Sequence, residues 1–209
     1  MRKANLAKNH EWFERDMHWH IDFLARMLGA QRVVKVEDKF EIIESSVIRI
    51  CALWEAFVED ELVDCLNLDC TKFSEYLQLD LPPHLKRPLC EAILIGHRYL
   101  DFKGVDDIRS FARKVLPDEV NPFRLIRNPT AKKIDELYIM RNYLSHYSSN
   151  ARRALNRMYN RSYNLNKFRQ PGDFLLSYGG KRLIQYIGCI LGCFVTNARN
   201  NLIASVDSI

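Results

Sequence analysis

One apolar stripe between residues 36 and 66 constrains this chain more than any other feature. Phe40, Ile43, Val47, Ile50, Trp54, Phe57, Val58, Leu62 and Cys65 recur at three- and four-residue steps. That period keeps one side of a helix apolar for about eight turns. A stripe so long is buried only if other helices lie along it. A second stripe, Trp12, Phe13, Met17, Ile21, Leu24 and Leu28, predicts a helix over residues 6–28 closed by Gly29. No run alternates apolar and polar residues long enough for a convincing strand, so the expected class is all-α.

The middle of the chain is punctuated rather than continuous. Pro82, Pro83, Pro88, Pro117, Pro122 and Pro129 fall within 48 residues, and each limits a helix. Short helices are expected near 71–78, 87–97 and 105–116. Asn128-Pro129-Thr130 signals the start of a helix over 130–149, with Thr130 or Asn128 as N-cap. A further helical piece over 151–162 precedes the polar loop through Gln170-Pro171-Gly172-Asp173, where Asp173 can cap a last helix running to about residue 204. With no internal repeat or low-complexity linker, one domain over residues 1–209 is expected.

At 47% apolar and 11% aromatic, the 209 residues supply ample material for a core. Met1 to Leu28 is charged throughout and lacks a secretory leader pattern, and the longest apolar run, Leu183 to Val195, is too short for the roughly 20 residues of a membrane span. The expectation is a cytoplasmic protein with no membrane contact. Cys51, Cys65, Cys70, Cys90, Cys189 and Cys193 form no CxxC pair and no zinc-finger spacing, so they read as reduced core thiols. Neither a metal nor a cofactor is expected.

Charge is unevenly spread. Residues 1–80 carry 10 basic and 16 acidic side chains, whereas residues 141–170 carry seven basic ones and no Asp or Glu. Arg152, Arg153, Arg157 and Arg161 dominate this segment, interleaved with Tyr143, Tyr147, Tyr159 and Tyr163. Such an excess suits a polyanion, and exposed tyrosines can stack unpaired bases. The arginines and Tyr147 are therefore candidate RNA-binding residues; a merely solvated basic face is the plain alternative.

Arg141 and His146 pair a permanent cation with a side chain that titrates near neutrality. Chance must be weighed, since 19 arginines and 6 histidines produce about half an Arg-x4-His match at random. A second match, Arg15 to His20, lies in the acidic half and reads as a packing or partner-facing element. Arg141 falls within the stripe of Ile134, Leu137, Tyr138 and Leu144, where a guanidinium needs a carboxylate, and Glu44, Glu55 and Glu59 are the candidates. His146 lies about 140° around a straight helix from Arg141. Asn142 precedes His146 by four residues and shares its face.

The segment Leu137-Tyr138-Ile139-Met140-Arg141-Asn142-Tyr143-Leu144-Ser145-His146 resembles the Arg-x4-6-His signature of the HEPN superfamily (higher eukaryotes and prokaryotes nucleotide-binding), including its polar residue after the arginine. The stretch Leu53-Trp54-Glu55-Ala56-Phe57-Val58 and the Pro171-Gly172-Asp173 lead into the last helix resemble the RiboL-PSP-HEPN-like branch. The resemblance implies a helical bundle with long antiparallel helices. It further implies a homodimeric, metal-independent endoribonuclease in a bacterial or phage defence or toxin-antitoxin system, with a cognate antitoxin protein. Carried onto this chain, Arg141, His146 and Asn142 are the catalytic residues. In the toxin subgroup with Arg-x4-His-x-Tyr a tyrosine stands where this chain has Ser148, so regulation by tyrosine modification is not expected. The alternatives are a catalytically inactive HEPN-like module binding RNA, nucleotide or protein, and a purely structural adaptor.

Overall fold

A computed structural model describes residues 4–29, 34–97, 102–177 and 181–190, which form nine α-helices and two short 3₁₀ turns without a strand. The two stripes become α1 (Leu6–Gly29) and α2 (Val36–Leu68). They run antiparallel. At one end the Ala4 N–H donates to Asn67 Oδ1 at 2.7 Å, and at the other Lys39 Nζ donates to the Leu28 carbonyl at 3.1 Å. Phe13 of α1 stacks on Phe57 of α2 with ring centroids 4.4 Å apart, and both are fully buried. Burying an apolar side chain of this size contributes about 1.5–3 kcal/mol.

The same interface holds a polar knot. Glu61 is fully buried, and its carboxylate meets His10 Nε2 at 3.0 Å and accepts from Asn9 Nδ2 at 2.9 Å. Removing either partner leaves one oxygen of a buried carboxylate without its hydrogen bond, which is costly.

The short middle helices are α3 (Thr71–Leu77), α4 (Arg87–His97) and α5 (Val105–Val115), within a residue or so of expectation. The two 3₁₀ turns, Asp118–Val120 and Pro122–Leu125, occupy the proline-punctuated stretch that follows. Four more helices complete the described chain: α6 (Asn128–His146), α7 (Ser149–Tyr163), α8 (Pro171–Leu176) and α9 (Lys181–Ile190). α1, α4, α6 and α8 all pack on α2, which explains why its buried set spreads beyond one stripe.

Several boundary expectations are corrected. Neither Thr130 nor Asn128 caps α6: Arg127 occupies the N-cap without a side-chain bond and Pro129 presets the first turn. Thr130 is 1% exposed, its hydroxyl 3.7 Å from Cys189 Sγ, while the Asn128 side-chain oxygen accepts from Arg109 Nη1 at 3.4 Å. Asp173 does not cap the last helix, because Pro171 opens a separate helix in which Asp173 pairs with Arg169 at 3.2 Å. Gly172 lets α8 touch α2. A Cβ there would stand 2.9 Å from Phe40 Cβ, and the Gly172 N–H donates to Glu44 Oε1 at 2.8 Å. The expected continuation of the last helix to residue 204 lies outside the described residues, as does Cys193.

Cys51, Cys65, Cys70 and Cys90 are buried free thiols, and Cys189 is half-buried and free. Burial, reinforced by Glu55, pushes the Cys51 thiol up to about 12 despite Arg141 nearby. No helix among the described residues is long and apolar enough to cross a membrane.

Candidate active site and basic face

α6 lies antiparallel to α2, which brings Arg141 against Glu55 and the end of α6 toward Glu44 and Glu41. The Arg141 guanidinium donates through Nη2 to the Glu55 carboxylate. The two side chains are 27% and 34% exposed, so the pair sits at the rim of the helix interface rather than in its core. Of the three candidate carboxylates, Glu55 is therefore Arg141's partner, and Glu44 is occupied by Gly172. Below the pair, Cys51 and Tyr138 are buried.

His146 is the last residue of α6. The next residue, Tyr147, adopts the left-handed conformation (φ 47°, ψ 22°), and its N–H caps the helix on the Tyr143 carbonyl at 2.8 Å. For a non-glycine residue that conformation costs on the order of 1 kcal/mol. Ser148 then caps α7, its side-chain oxygen accepting from the Ala151 N–H at 3.2 Å. This cap is a local serine signal before a helical run, and it ends the helix expected over 130–149 three residues early.

His146 and Asn142 are both exposed. Among the described residues His146 makes no hydrogen bond, and none joins it to Arg141. Arg141 faces α2 and His146 faces solvent, as their separation around the helix requires.

The structure divides the basic segment. The exposed side of α7 carries Arg152, Arg153, Arg157 and Arg161 with Asn150, Asn156 and Asn160, and no carboxylate. Arg152 lies over the Phe168 ring, 4.2 Å from its centroid, and Arg153 donates to Asn150 Oδ1. Arg157 and Arg161 make no ion pair among the described residues. The tyrosines divide too: Tyr143 and Tyr159 are buried, Tyr163 is half-buried, and only Tyr147, at 64% exposure, is open for stacking. Its ring meets the edge of Tyr143 at 5.3 Å.

Two features escape a reading by sequence position. A cleft of about 700 Å³ runs between α5, α6 and α7, where Lys132 of α6 joins Arg157 and Arg161 over a floor that includes Ile139 and Met158. A smaller notch of about 390 Å³ shares the same two arginines and is edged by Asn156, Asn160 and Asn166. Behind the larger cleft, Glu136 is 3% exposed, and its Oε2 accepts from Tyr163 at 2.6 Å and Tyr186 at 2.8 Å, with Lys133 Nζ 3.4 Å away. A glutamate three residues from Lys133 on the buried side of α6 was the available signal.

The rival match on α1 is arranged differently. Arg15 is 75% exposed and pairs with its neighbour Asp16 at 3.0 Å. His18 contacts the Glu14 carbonyl at 2.8 Å. His20 is only 7% exposed; burial, with Arg49 close by, holds its pKa below the ordinary histidine value against the opposing pull of Asp16. Trp19 is exposed and stacks on Phe23 at 5.4 Å.

Among the described residues no three His, Cys, Asp or Glu side chains are grouped to hold a metal ion. Comparison with known proteins finds no matching family model, no similar curated protein and no similar solved structure.

Proposed function

We propose that this protein is a metal-independent endoribonuclease of HEPN type, acting as a homodimer on RNA. The observation that carries the reading is the end of α6. Arg141 is held at a half-open interface by Glu55, and the helix stops at His146, whose imidazole is free in solvent beside a helix face of uncompensated arginines. Glu55 engages only Nη2, so the other N–H groups of the guanidinium remain for a phosphate.

In the proposed step the ribose 2′-oxygen bonds to its adjacent phosphorus and the bond to the 5′-oxygen breaks. The products are a 2′,3′-cyclic phosphate and a 5′-hydroxyl. One His146 takes the 2′-hydroxyl proton, and the protonated His146 of the partner subunit gives one to the leaving oxygen, each transfer contributing about 10² to 10⁴-fold. Arg141 stabilises the charge that grows on the phosphorane oxygens, since it remains protonated throughout. Asn142 shares the face of His146 and orients the imidazole or the phosphate. Two copies are required because Arg141 and His146 of one helix point apart.

A second reading is a catalytically idle HEPN-like module that binds RNA, nucleotide or protein. The Arg141–Glu55 pair favours it, because an ion pair between two packed helices is a sufficient structural use for that arginine. The defence or toxin-antitoxin setting and an antitoxin partner rest on the HEPN resemblance alone. Incubating total RNA in EDTA with wild type, Arg141→Ala and His146→Ala separates the readings. Cleavage by wild type alone supports the nuclease, and equal cleavage by all three refutes it. Salt-sensitive binding without cleavage supports the idle module.

A further inference from the structure

Around the cleft between α5, α6 and α7, most charges already have partners. Arg109 pairs with Asp106 at 3.2 Å, Lys133 with Glu136 at 3.4 Å, and Asp135 accepts from the Val105 N–H at 2.8 Å. Lys132, Arg157 and Arg161 have no ion pair among the described residues, and the one lining carboxylate likewise without an ion pair is Asp135, so the balance of the unpaired charges is positive. Between these cations lies the apolar floor containing Ile139 and Met158. Arg157 and Arg161 form a ridge, and across it the notch offers the amides of Asn156, Asn160 and Asn166, with Asn160 Nδ2 donating to Asn166 Oδ1 at 2.6 Å.

Phosphate needs cations, a base face needs an apolar or aromatic surface, and a base edge needs amides. All three occur together here, within a cleft whose volume is typical of ligand sites, roughly 300–1,000 Å³. A free phosphate has no use for the floor or the amides. A duplex keeps its base faces stacked and its Watson–Crick edges paired, and so cannot place one base on either side of a ridge.

We propose that the ridge of α7 is a track for unpaired RNA. Phosphates lie on Lys132, Arg157 and Arg161, one base enters the apolar-floored cleft, and its neighbour meets Asn156, Asn160 and Asn166. This rests on the ribonuclease reading and deepens it by naming the substrate class. Arg157 and Arg161 stand about 12 to 18 Å along the axis of α7 from its start beside His146, so binding and cutting occupy different nucleotides of one strand. Arg152, stacked on Phe168, and Tyr147 at the helix turn belong to the opposite end of the helix.

The test uses the full chain carrying His146→Ala, to suppress cutting, and fluorescence anisotropy with an unstructured oligoribonucleotide of about a dozen residues. The single strand should bind at least about tenfold more tightly than the same strand in a duplex. Adding Arg157→Gln and Arg161→Gln should weaken single-strand binding by about 10 to 100-fold and reduce the slope of log affinity against log salt by about 1.4. Arg26→Gln, an exposed cation near the end of α1, should change neither. Both ridge arginines are exposed, so an unchanged thermal midpoint should accompany the loss. Wild-type-like binding by the double variant, or equal affinity for the duplex, overturns the track. Cleavage in EDTA is scored separately on His146-containing protein. Ridge-dependent binding without cleavage leaves the track standing and removes the nuclease, whereas His146-dependent cleavage indifferent to the ridge does the reverse.

Discussion

Two helices carry an arginine five residues before a histidine, and they turn opposite members of the pair inward. On α1, Arg15 is 75% exposed and His20 is 7% exposed; on α6, Arg141 is 27% exposed and His146 stands free at the helix end. Spacing sets the angle between the two side chains and nothing more. Packing decides the rest. α1 turns its histidine into the contact with α2, whereas α6 turns its arginine toward Glu55 and stops at the histidine. Only the second arrangement leaves the imidazole exposed at a helix end while the arginine of the same helix is held by a carboxylate.

The largest expected contrast is in catalysis. His146→Ala should reduce single-turnover RNA cleavage by about 10² to 10⁴-fold while altering stability by less than about 0.5 kcal/mol. His20→Ala should do the opposite, costing about 1–2 kcal/mol in a denaturant melt and leaving the cleavage rate of the folded protein unchanged. Equal loss of cleavage in the two variants would break the comparison.

The arginines give the next contrast. Arg141→Ala should lower cleavage by about 10² to 10³-fold and, because its pair with Glu55 is partly solvated, cost only about 1 kcal/mol. Glu55→Gln should show the same small stability loss and lower cleavage less than Arg141→Ala does, since it keeps the guanidinium while loosening its hold; a loss as deep as that of Arg141→Ala would show that the reaction needs the pair and not the guanidinium alone. Arg15→Ala should change the unfolding free energy by no more than about 0.5 kcal/mol and leave cleavage alone.

The smallest effect is a pH dependence. His20 has a folded pKa below its ordinary value of 6.5, so the unfolded chain binds a proton that the folded chain refuses. Stability from this group is full above about pH 6.5 and declines on acidification toward the lowered folded value. Urea melts of wild type across that window should show the decline, and His20→Gln should flatten it. An unchanged slope in that variant would show that His20 is not the titrating group.

Local signals carried most of the helices. The bounds of α1 to α5 follow from three- and four-residue periodicity and from proline, both of which act within a turn or two of chain. What depended on which helix packs against which was not legible. Tyr143, Tyr147, Tyr159 and Tyr163 look equivalent in a basic segment, yet two are buried, one is half-buried and one is exposed. Lys132 joins Arg157 and Arg161 only because α6 and α7 fold back on each other. For Arg141 the need for a carboxylate was readable, and the choice of Glu55 over Glu44 came from the antiparallel register of α6 on α2.

The most direct test of the account is the chemistry of the cut ends. Mass spectrometry of an oligoribonucleotide treated with the protein in EDTA should show 2′,3′-cyclic phosphate and 5′-hydroxyl termini with wild type and intact strand with His146→Ala. The same termini from both proteins, or intact strand from both, would contradict it.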